Sequence, residues 1–379
     1  MDLNDYREQI DQIDDQMLEL FLKRMEISTD IAAYKKAHDL PILNRQRERD
    51  ILRDVSEKCG SMDLYGRRFV SNLMELSKAY QAEQLNKPTK LLETIEHSRL
   101  PASAVFPRDG LVALQGVEGS YSQEAAERLF PRGDLRFKTT FADVFDAVEN
   151  EEVQYGIVPI ENSSYGSVRD VYSLLQERDV HITRAVRINV RHELLAAPGT
   201  KLRNIKEIIS HDQAIGQCDK YLKSLGPDVK ITKAVNTAMA AKLVAEADRT
   251  DLAAIASHEA GQVYGLKSLK SDIMDSENNY TRFIVIRKEP AVYPGAQRIS
   301  LILSTEHRAG ALYDVIAAVT ANDINMVKLE SVPIVGTDFE FGFFIDLEAS
   351  VWEPNVLGLL AYLERTTDFF KYLGNYPEF

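Results

Sequence analysis

The stretch that decides the fold of the N-terminal part is residues 3–38, LNDYREQIDQIDDQMLELFLKRMEISTDIAAYKKAH. Nine apolar residues recur at heptad-like spacing without an intervening Pro or Gly, which predicts one long amphipathic helix. The residues of this apolar stripe are Leu3, Tyr6, Ile10, Ile13, Met17, Leu20, Ile27, Ile31 and Tyr34. Arg24 occupies a seam position, seven residues after Met17, where a guanidinium is costly to bury unless an anion meets it. From the pattern alone, Arg24 either snorkels, pairs with a nearby Glu, or holds an anion.

The length of this helix bears on the assembly. At about 1.5 Å per residue it spans roughly 50 Å, more than the shorter helical segments behind it can cover. We therefore expect the segment from Met1 to about Asn86 to bury its stripe against a second copy of itself. Arg7 and Lys35 lie on the same edge of the helix but about 40 Å apart. If both serve one pocket, one of them comes from the partner chain.

Bulk composition bounds the class of protein. A chain of 379 residues, 45% hydrophobic and 27% charged, is long enough for two or three domains with ordinary cores. Its net charge of −13 argues against nucleic acid or an anionic membrane as a partner. Without an apolar run of 18 residues or a signal peptide, we expect a cytoplasmic protein. Cys59 and Cys218 have no CxxC partner and no histidine at metal-ligand spacing, which predicts a metal-free chain in a reducing compartment.

The first segment, residues 1–86, reads as all-α. The tripeptide Asp39-Leu40-Pro41 ends the long helix, and Asn44 is expected to cap a short helix that runs to about Lys58. A third helix is expected over residues 63–84, with five apolar side chains facing inward: Leu64, Phe69, Leu73, Leu76 and Tyr80. Residues 87–109 contain prolines and no clear period, which predicts an interdomain linker.

Residues 110–290 alternate short apolar strands with helical pieces, a pattern typical of α/β layers around a mainly parallel sheet. The strands are expected at residues 111–114, 153–160, 185–195, 205–210, 229–234, 252–256 and 283–287. Loops leaving the C-terminal ends of such strands usually hold ligands, and three qualify here, at residues 116–122, 161–166 and 210–211. Residues 297–379 read strand, helix, strand, strand, helix, strand, which predicts an α+β ferredoxin-like unit.

Cations and hydrogen-bonding side chains gather in the helical segment. Ser77 and Gln81 are spaced i, i+4 on one helix face, which alone is a weak signal, and the charges around Arg47 and Glu48 read alone as a solvated run. Together with Arg24 in the apolar seam, they suit a dicarboxylate. The reaction of such a substrate would need positioning and charge stabilisation rather than proton transfer.

The helical segment resembles the all-helical class of chorismate mutase. The resemblance rests on the type and approximate spacing of seven residues: Arg7, Arg24, Lys35, Arg47, Glu48, Ser77 and Gln81. It implies an interlocked helical dimer that converts chorismate to prephenate through a chair-like pericyclic transition state. Family members often carry Asp at the position of Asn44.

This resemblance also implies a role for each charged residue. Arg24, with Arg7 of the partner subunit, would hold the two carboxylates of chorismate, and Arg47 would add to that grip. Lys35 would contribute there too, and with Gln81 it would face the ether oxygen, where negative charge builds as the C–O bond breaks. Glu48 would accept a hydrogen bond from the ring hydroxyl.

Four motifs of the α/β segment form a second set. They are Gly119-Ser120-Tyr121-Ser122, Glu161-Asn162-Ser163, Ser210-His211 and Thr281-Arg282-Phe283. Alone, they read as an ordinary turn, a helix cap, a loop histidine and the start of a strand. Their joint occurrence in this order resembles prephenate dehydratase, whose fold is similar to a two-lobed periplasmic binding protein with its site between the lobes.

The second resemblance implies that prephenate loses carbon dioxide and hydroxide together, driven by aromatisation, without a cofactor or a metal. Thr281 would hydrogen-bond or protonate the leaving hydroxyl. Arg282 would anchor a carboxylate, and Asn162 and Ser163 would line the cleft. The other substrate-binding residues that we expect are Glu161, Ser210, His211 and Phe283.

The last unit resembles the ACT regulatory domain, which usually binds phenylalanine at a dimer interface. Its first motif is matched by Gly310-Ala311-Leu312. The second, commonly Glu-Ser-Arg-Pro, reads Glu330-Ser331-Val332-Pro333 here. Gly310, Ala311, Leu312, Glu330 and Ser331 are therefore the expected effector-binding residues. Because Val cannot replace the multi-donor Arg, the strength and sign of regulation stay open.

Taken together, the three resemblances imply a bifunctional chorismate mutase–prephenate dehydratase of phenylalanine biosynthesis, working as a homodimer or a higher homo-oligomer. Arogenate remains an alternative substrate of the second site. A mutase–prephenate dehydrogenase is disfavoured because no GxGxxG follows any predicted strand. An amino-acid-sensing module without turnover is an alternative from another class, and the intact Thr281 argues against it.

Overall fold

The computed structural model describes residues 2–38, 40, 45–84, 89–247, 249–276, 278–333 and 341–379. These form two compact units, one made of residues 1–93 and 357–367 and the other of residues 94–356 and 368–379. Across the described ranges, no helix is both long enough and apolar enough to span a membrane.

Three long helices make up most of the first unit, close to the predicted bounds. They are α1 (Leu3–Ala37), α2 (Arg45–Cys59) and α3 (Asp63–Gln84), with a 3-10 helix at Gly60–Met62 between the last two. Asp2 and Asp5 form a capping box at the start of α1, each side chain accepting from the other residue's backbone N–H. The predicted cap at Asn44 lies outside the described residues.

The apolar stripe of α1 is uncovered in the single chain. All nine residues of the predicted stripe are exposed: Leu3, Tyr6, Ile10, Ile13, Met17, Leu20, Ile27, Ile31 and Tyr34. The inward orientation predicted for Leu64, Phe69 and Leu76 on α3 is wrong within one chain, where all three are exposed as well. Exposed apolar surface of this extent is typical of protein–protein interaction sites.

The segment predicted as an irregular linker contains a helix, α4 (Lys90–Ser98). Ile95 is fully buried, and the backbone continues into hydrogen bonds from Leu100 N to Val292 O (3.0 Å) and from Val292 N to Ser98 O (2.8 Å). Nine residues are too few to show a clear helical period in the sequence. The second half of the linker is therefore an ordered part of the second unit.

Eleven strands precede the C-terminal region in the part of the chain that the structure describes. They are β1 (Asp109–Gln115), β2 (Arg132–Lys138), β3 (Tyr155–Asn162), β4 (Gly166–Ser167), β5 (His181–Asn189), β6 (Glu193–Ala196), β7 (Glu207–Ser210), β8 (Lys230–Lys233), β9 (Leu252–Ala256), β10 (Lys267–Lys270) and β11 (Tyr280–Arg287). The first sheet has the order β2-β1-β3-β11-β5, with β4 paired to β3. The second sheet has the order β10-β6-β9-β7-β8.

The prediction of one mainly parallel sheet is wrong, because each of the two sheets mixes both directions. β1 runs parallel to β2 and β3, whereas β11 is antiparallel to β3 and β5. The strand predicted at residues 185–195 is two strands, β5 and β6, in different sheets. The chain therefore crosses between the sheets after Asn189 and again before β11, which produces the two lobes that the resemblance predicted.

The helices of these lobes alternate with the strands along the chain. They are α5 (Tyr121–Leu129), α6 (Phe141–Glu149), α7 (Arg169–Glu177), α8 (Asp212–Gln217), α9 (Asp219–Ser224), α10 (Thr237–Glu246) and α11 (His258–Val263), with a 3-10 helix at Leu202–Asn204. In the first lobe, Ala125 of α5 packs in one core with Val112, and Val144 of α6 packs in another with Ala113. Because neighbours on a strand point to opposite faces, the two helices cover the two sides of the first sheet.

The C-terminal elements follow the predicted order and nearly the predicted bounds. They are β12 (Arg298–Ser304), α12 (Ala311–Ala321), β13 (Asn325–Pro333), β14 (Phe341–Glu348), α13 (Pro354–Thr366) and β15 (Phe369–Tyr376). The four strands form a third, antiparallel sheet in the order β13-β14-β12-β15. Ile302 and Phe344 of this sheet share a core with Tyr172 and Ile284 of the first lobe. The third sheet therefore packs against β11, the strand that contains the Thr-Arg-Phe motif.

Candidate active sites

Arg24 reaches from α1 to α3 within the first unit. Its Nη1 donates to the carbonyl oxygen of Leu73 at 2.8 Å and makes a short hydrogen bond to Oγ of Ser77. Ser77 is buried, and partial burial lowers the pKa of Arg24. Within the residues that the structure describes, Arg24 has no carboxylate partner. Its guanidinium is thus fixed in place with its charge still to be matched by an anion.

Lys35 and Glu48 occupy the same helical cluster. Nζ of Lys35 donates to Oε1 of the buried Gln81 at 3.2 Å, and burial lowers the pKa of Lys35, partly offset by Glu48. Glu48 pairs with Lys78 at 2.9 Å, and Lys78 also pairs with Glu75 at 2.7 Å. Sequence reasoning missed Lys78. It follows Ser77 on α3, and its charge is opposite to that of Glu48 on α2.

Arg7 lies apart from this cluster within one chain. Arg7 is exposed and donates to Asn4 at 3.4 Å near the start of α1. It lies about 25 Å along the helix from Arg24, at about 1.5 Å per residue. Arg47 is exposed on the first turn of α2. One chain therefore brings together Arg24, Ser77, Lys35, Gln81 and Glu48, but not Arg7.

In the second unit, Thr281 and Asn162 face each other on adjacent strands. They are register partners on β11 and β3, and Nδ2 of Asn162 donates to Oγ1 of Thr281 at 2.9 Å. The same Nδ2 donates to Oδ1 of the buried Asn279 at 2.8 Å. Since Asn162 supplies a donor to the Thr281 oxygen, the hydroxyl proton of Thr281 can be donated to a bound molecule.

The turn after β3 is fixed by backbone hydrogen bonds around this pair. Oδ1 of Asn162 accepts from the amides of Ser164 (2.9 Å) and Tyr165 (3.1 Å). Oγ of Ser163 accepts from Tyr280 N at 2.9 Å and donates to the carbonyl of Asn278 at 3.2 Å. Asn162 and Ser163 of the Glu-Asn-Ser motif and Thr281 of the Thr-Arg-Phe motif therefore lie together in one hydrogen-bonded arrangement.

Ser210 and His211 lie at the end of β7, in the second lobe. Ser210 is fully buried and donates to Ile255 O at 2.6 Å, so its hydroxyl faces the protein interior. His211 caps α8, and burial lowers its pKa. The hydroxyl of Tyr165 donates to Gln213 O at 2.9 Å, which links α8 to the turn after β3. A side chain at Gly216 would collide with that hydroxyl, because its Cβ would lie 2.4 Å away.

The loop at residues 116–122 also contacts the second lobe. Gly119 has a φ of +79°, and a Cβ there would lie 2.8 Å from Cα of Ala260. Ser257 donates to Gly119 O at 3.2 Å, and Tyr264 donates to Glu118 O at 2.9 Å. This loop therefore joins the two lobes by close approach to α11, which only glycine allows at position 119.

Arg282 and Glu161 do not face the Thr281–Asn162 pair. Arg282 is only 4% exposed and contacts Asp346 (2.6 Å) and Glu161 (3.0 Å). Burial opposes its charge, but Tyr376 and Asp346 raise the pKa of Arg282 above its usual range. The predicted carboxylate anchor is therefore turned into the interior, because consecutive residues of a strand point to opposite faces.

Glu161 and Phe283, also predicted to bind substrate, have their partners away from the Thr281–Asn162 pair. Partial burial raises the pKa of Glu161, but Lys328 and Arg282 hold it below its ordinary value. Phe283 is 2% exposed and packs in the core of the first lobe with Val285. Sequence reasoning missed Tyr165 and the partners of Arg282, because only tertiary structure brings them together.

The C-terminal motifs lie at two places on the third sheet and its first helix. Gly310, with φ +87°, precedes α12, and the buried Ala311 starts the helix, followed by Leu312. Glu330 on β13 accepts a short hydrogen bond from Ser167 and pairs with Lys328 at 3.3 Å, which holds it against β4. Ser331 is exposed.

Val332, which replaces the motif arginine, is 5% exposed in the core shared with the first lobe. An apolar residue suits this position, because a guanidinium there would need a buried anion.

Comparison with known proteins matches residues 6–82 to the chorismate mutase type II family and residues 112–291 to the prephenate dehydratase family. The bifunctional chorismate mutase/prephenate dehydratase of Escherichia coli (strain K12) is 31% identical, covering 98% of this chain and 95% of that protein. Arogenate dehydratase/prephenate dehydratase 2 of Arabidopsis thaliana is 34% identical, covering 83% and 84%. A solved prephenate dehydratase from Arthrobacter aurescens, in complex with L-Phe, aligns with a TM-score of 0.66 and 25% identity over 70% of this chain and 89% of its own.

Proposed function

Because the chain belongs to the bifunctional chorismate mutase/prephenate dehydratase family, we propose a role for each cluster described above. The chain rearranges chorismate to prephenate and converts prephenate to phenylpyruvate, in the biosynthesis of phenylalanine. The mutase reaction is assigned to residues 1–86 and the dehydratase reaction to residues 110–290. Residues 87–109 link them, and residues 297–379 form an ACT regulatory domain.

At the mutase site, Arg24 is the central carboxylate anchor. The observation that supports this is its fixed guanidinium, bonded to Leu73 O and Ser77 and lacking a carboxylate partner among the described residues. Lys35 and Gln81, already in contact, present donors to the ether oxygen as the C–O bond breaks. Preorganised donors stabilise such charge without reorganising during the reaction. Glu48 accepts from the ring hydroxyl, and Arg47 adds to the binding of the carboxylates.

At the dehydratase site, Thr281 donates its hydroxyl proton towards the leaving hydroxyl of prephenate. The hydrogen bond from Asn162 supports this role, because it orients Oγ1 and keeps the Thr281 proton directed away from Asn162. Ring aromatisation drives the loss of carbon dioxide as the C–O bond breaks. Asn162 and Ser163 line the cleft, and His211, the N-cap of α8, is assigned to it from the second lobe.

Direct assays of the purified chain test the substrate and the effector. Fed with chorismate, it should release phenylpyruvate, and prephenate should be a better substrate than arogenate. If arogenate is turned over faster, the second activity is arogenate dehydratase. Added phenylalanine should change the dehydratase rate through Gly310, Ala311, Leu312, Glu330 and Ser331. Lack of any response up to millimolar phenylalanine would retire the effector assignment.

The active mutase is an interlocked homodimer or a higher homo-oligomer, in which the α1 stripe of one chain packs on its partner. The uncovered stripe supports this assembly, since monomeric proteins rarely expose so continuous an apolar surface. The distance of Arg7 from Arg24 within one chain supports it independently. In such a dimer each of two equivalent pockets takes Arg7 from one subunit and Lys35 from the other.

Co-expression of Arg7→Ala and Lys35→Ala chains should therefore restore mutase activity that neither variant has alone. Half of randomly paired dimers are mixed, and each mixed dimer has one intact pocket of two, so about a quarter of wild-type activity is expected. Dehydratase activity, measured in the same samples, is the control for protein amount. Failure to recover activity in verified mixed dimers would rule out the shared pocket.

A further inference from the structure

A buried charged cluster joins β11 to the third sheet. Nη1 of Arg282 contacts Oδ2 of Asp346 at 2.6 Å, and Nη2 of Arg282 donates to the hydroxyl of Tyr376 at 2.8 Å. Asp346 and Tyr376 are fully buried, and Arg282 nearly so. The core around them is otherwise apolar, with Ile284 and Phe344 among its members. An ion pair in such a place adds little net stability, because removing both charges from water is costly.

Each strand of the third sheet contributes at least one polar residue to this cluster. The contributors are Ser300 of β12, Lys328 of β13, Asp346 of β14 and Tyr376 of β15. Ser300 contacts both Asp346 (2.5 Å) and Tyr376 (2.6 Å), and Lys328 forms a short ion pair with Glu161. The whole sheet is thereby connected to two residues of the first lobe, Arg282 and Glu161.

These two residues are the chain neighbours of the cleft pair. On β11 and β3, Thr281 pairs in register with Asn162, and Arg282 pairs with Glu161. Strand alternation directs the first pair towards the cleft and the second pair towards the third sheet. Because a single peptide unit connects Arg282 to Thr281, a shift of the Arg282 backbone also moves the Thr281 hydroxyl.

We propose that Arg282, held by Asp346 and Tyr376, is a positioning residue for Thr281 in the dehydratase reaction. Contacts from the third sheet to one face of β11 fix the position of its backbone. The backbone in turn determines where the Thr281 hydroxyl lies on the opposite face. The inference rests on the proposed role of Thr281 and adds the residues that orient it. A displacement of about 1 Å is enough to cost about a hundredfold in rate, so a small change in this cluster has a measurable effect.

Tyr376→Phe tests this without removing a buried charge. It should lower dehydratase kcat about tenfold, with KM within about twofold and mutase activity unchanged. Tyr372→Phe is the matched control, because Tyr372 is a buried tyrosine of the same strand whose hydroxyl has no hydrogen-bond partner among the described residues. Ser300→Ala, a smaller change in the same cluster, should lower kcat in the same direction. Wild-type kcat in Tyr376→Phe, or an equal loss in Tyr372→Phe, would overturn the proposal.

A double mutant separates positioning from general loosening of the fold. If Tyr376 acts through Thr281, adding Tyr376→Phe to Thr281→Ala should leave the residual dehydratase rate unchanged. Multiplication of the two losses would overturn the proposal. Full dehydratase activity in Thr281→Ala would overturn both this inference and the proposed role of Thr281. An inactive Thr281→Ala beside a fully active Tyr376→Phe would overturn this inference alone.

Discussion

Arg24→Ala is expected to lower chorismate mutase kcat/KM by about 10³-fold while dehydratase kcat/KM stays within about twofold of wild type. Leu73 O and Ser77 hold the guanidinium in place, so the substitution removes a preorganised cation from the substrate pocket. In a site that works by positioning and charge, the remaining cations cannot restore the fixed geometry that Arg24 supplies. Both activities are measured on the same purified chain, with chorismate and with prephenate as substrates.

Two control variants distinguish the role of Arg24 from a general effect on α1. Lys23→Ala removes the adjacent cation, which is exposed and pairs with Glu19 along the helix, and should keep wild-type mutase activity. Arg24→Lys keeps the charge but loses the planar fork that reaches two acceptors, so an intermediate loss is expected. Parallel loss of mutase and dehydratase activity in Arg24→Ala would contradict two independent sites.

The helical unit could be predicted from the sequence because its signals are long and local. Thirty-five residues without a breaker define α1, and the odd residue in the seam, Arg24, identified the site. The ion pair between Glu48 and Lys78 could not be predicted, since it depends on how α2 meets α3. The same limit applies to α4, a nine-residue helix whose last residue, Ser98, accepts a hydrogen bond from the distant Val292.

The second site shows where motif reasoning ends. Thr281 and Arg282 were predicted to serve one cleft because they are adjacent in one motif. Strand geometry separates their side chains, and it is readable from the sequence once the motif is assigned to a strand. The sequence could not predict which residues contact the Arg282 face of β11. Asp346 and Tyr376 belong to another sheet and lie 64 and 94 residues later in the chain. The prediction of one mainly parallel sheet was wrong because the sequence between β5 and β6 has no strong turn signal. The two strands were therefore predicted as one.

Thr281→Ala is expected to lower dehydratase kcat by about 10²- to 10³-fold and to leave mutase activity unchanged. Thr281 is the hydroxyl that Asn162 orients at 2.9 Å, and Ala has no proton to donate. Asn162 keeps its hydrogen bond to Asn279, so the turn should stay in place. Measuring phenylpyruvate formation from prephenate gives the dehydratase rate, and the mutase rate of the same sample reports on folding.

Thr281→Ser keeps the hydroxyl and should retain activity within about tenfold of wild type, which separates loss of the proton donor from loss of side-chain volume. The pH dependence of the residual rate in Thr281→Ala then separates donation from hydrogen bonding alone. If Thr281 supplies the proton, solvent acid should partly replace it, and the residual rate should rise more steeply than the wild-type rate as the pH falls. A parallel pH dependence in the two proteins would mean that Thr281 only binds the leaving hydroxyl, with the proton coming from another donor.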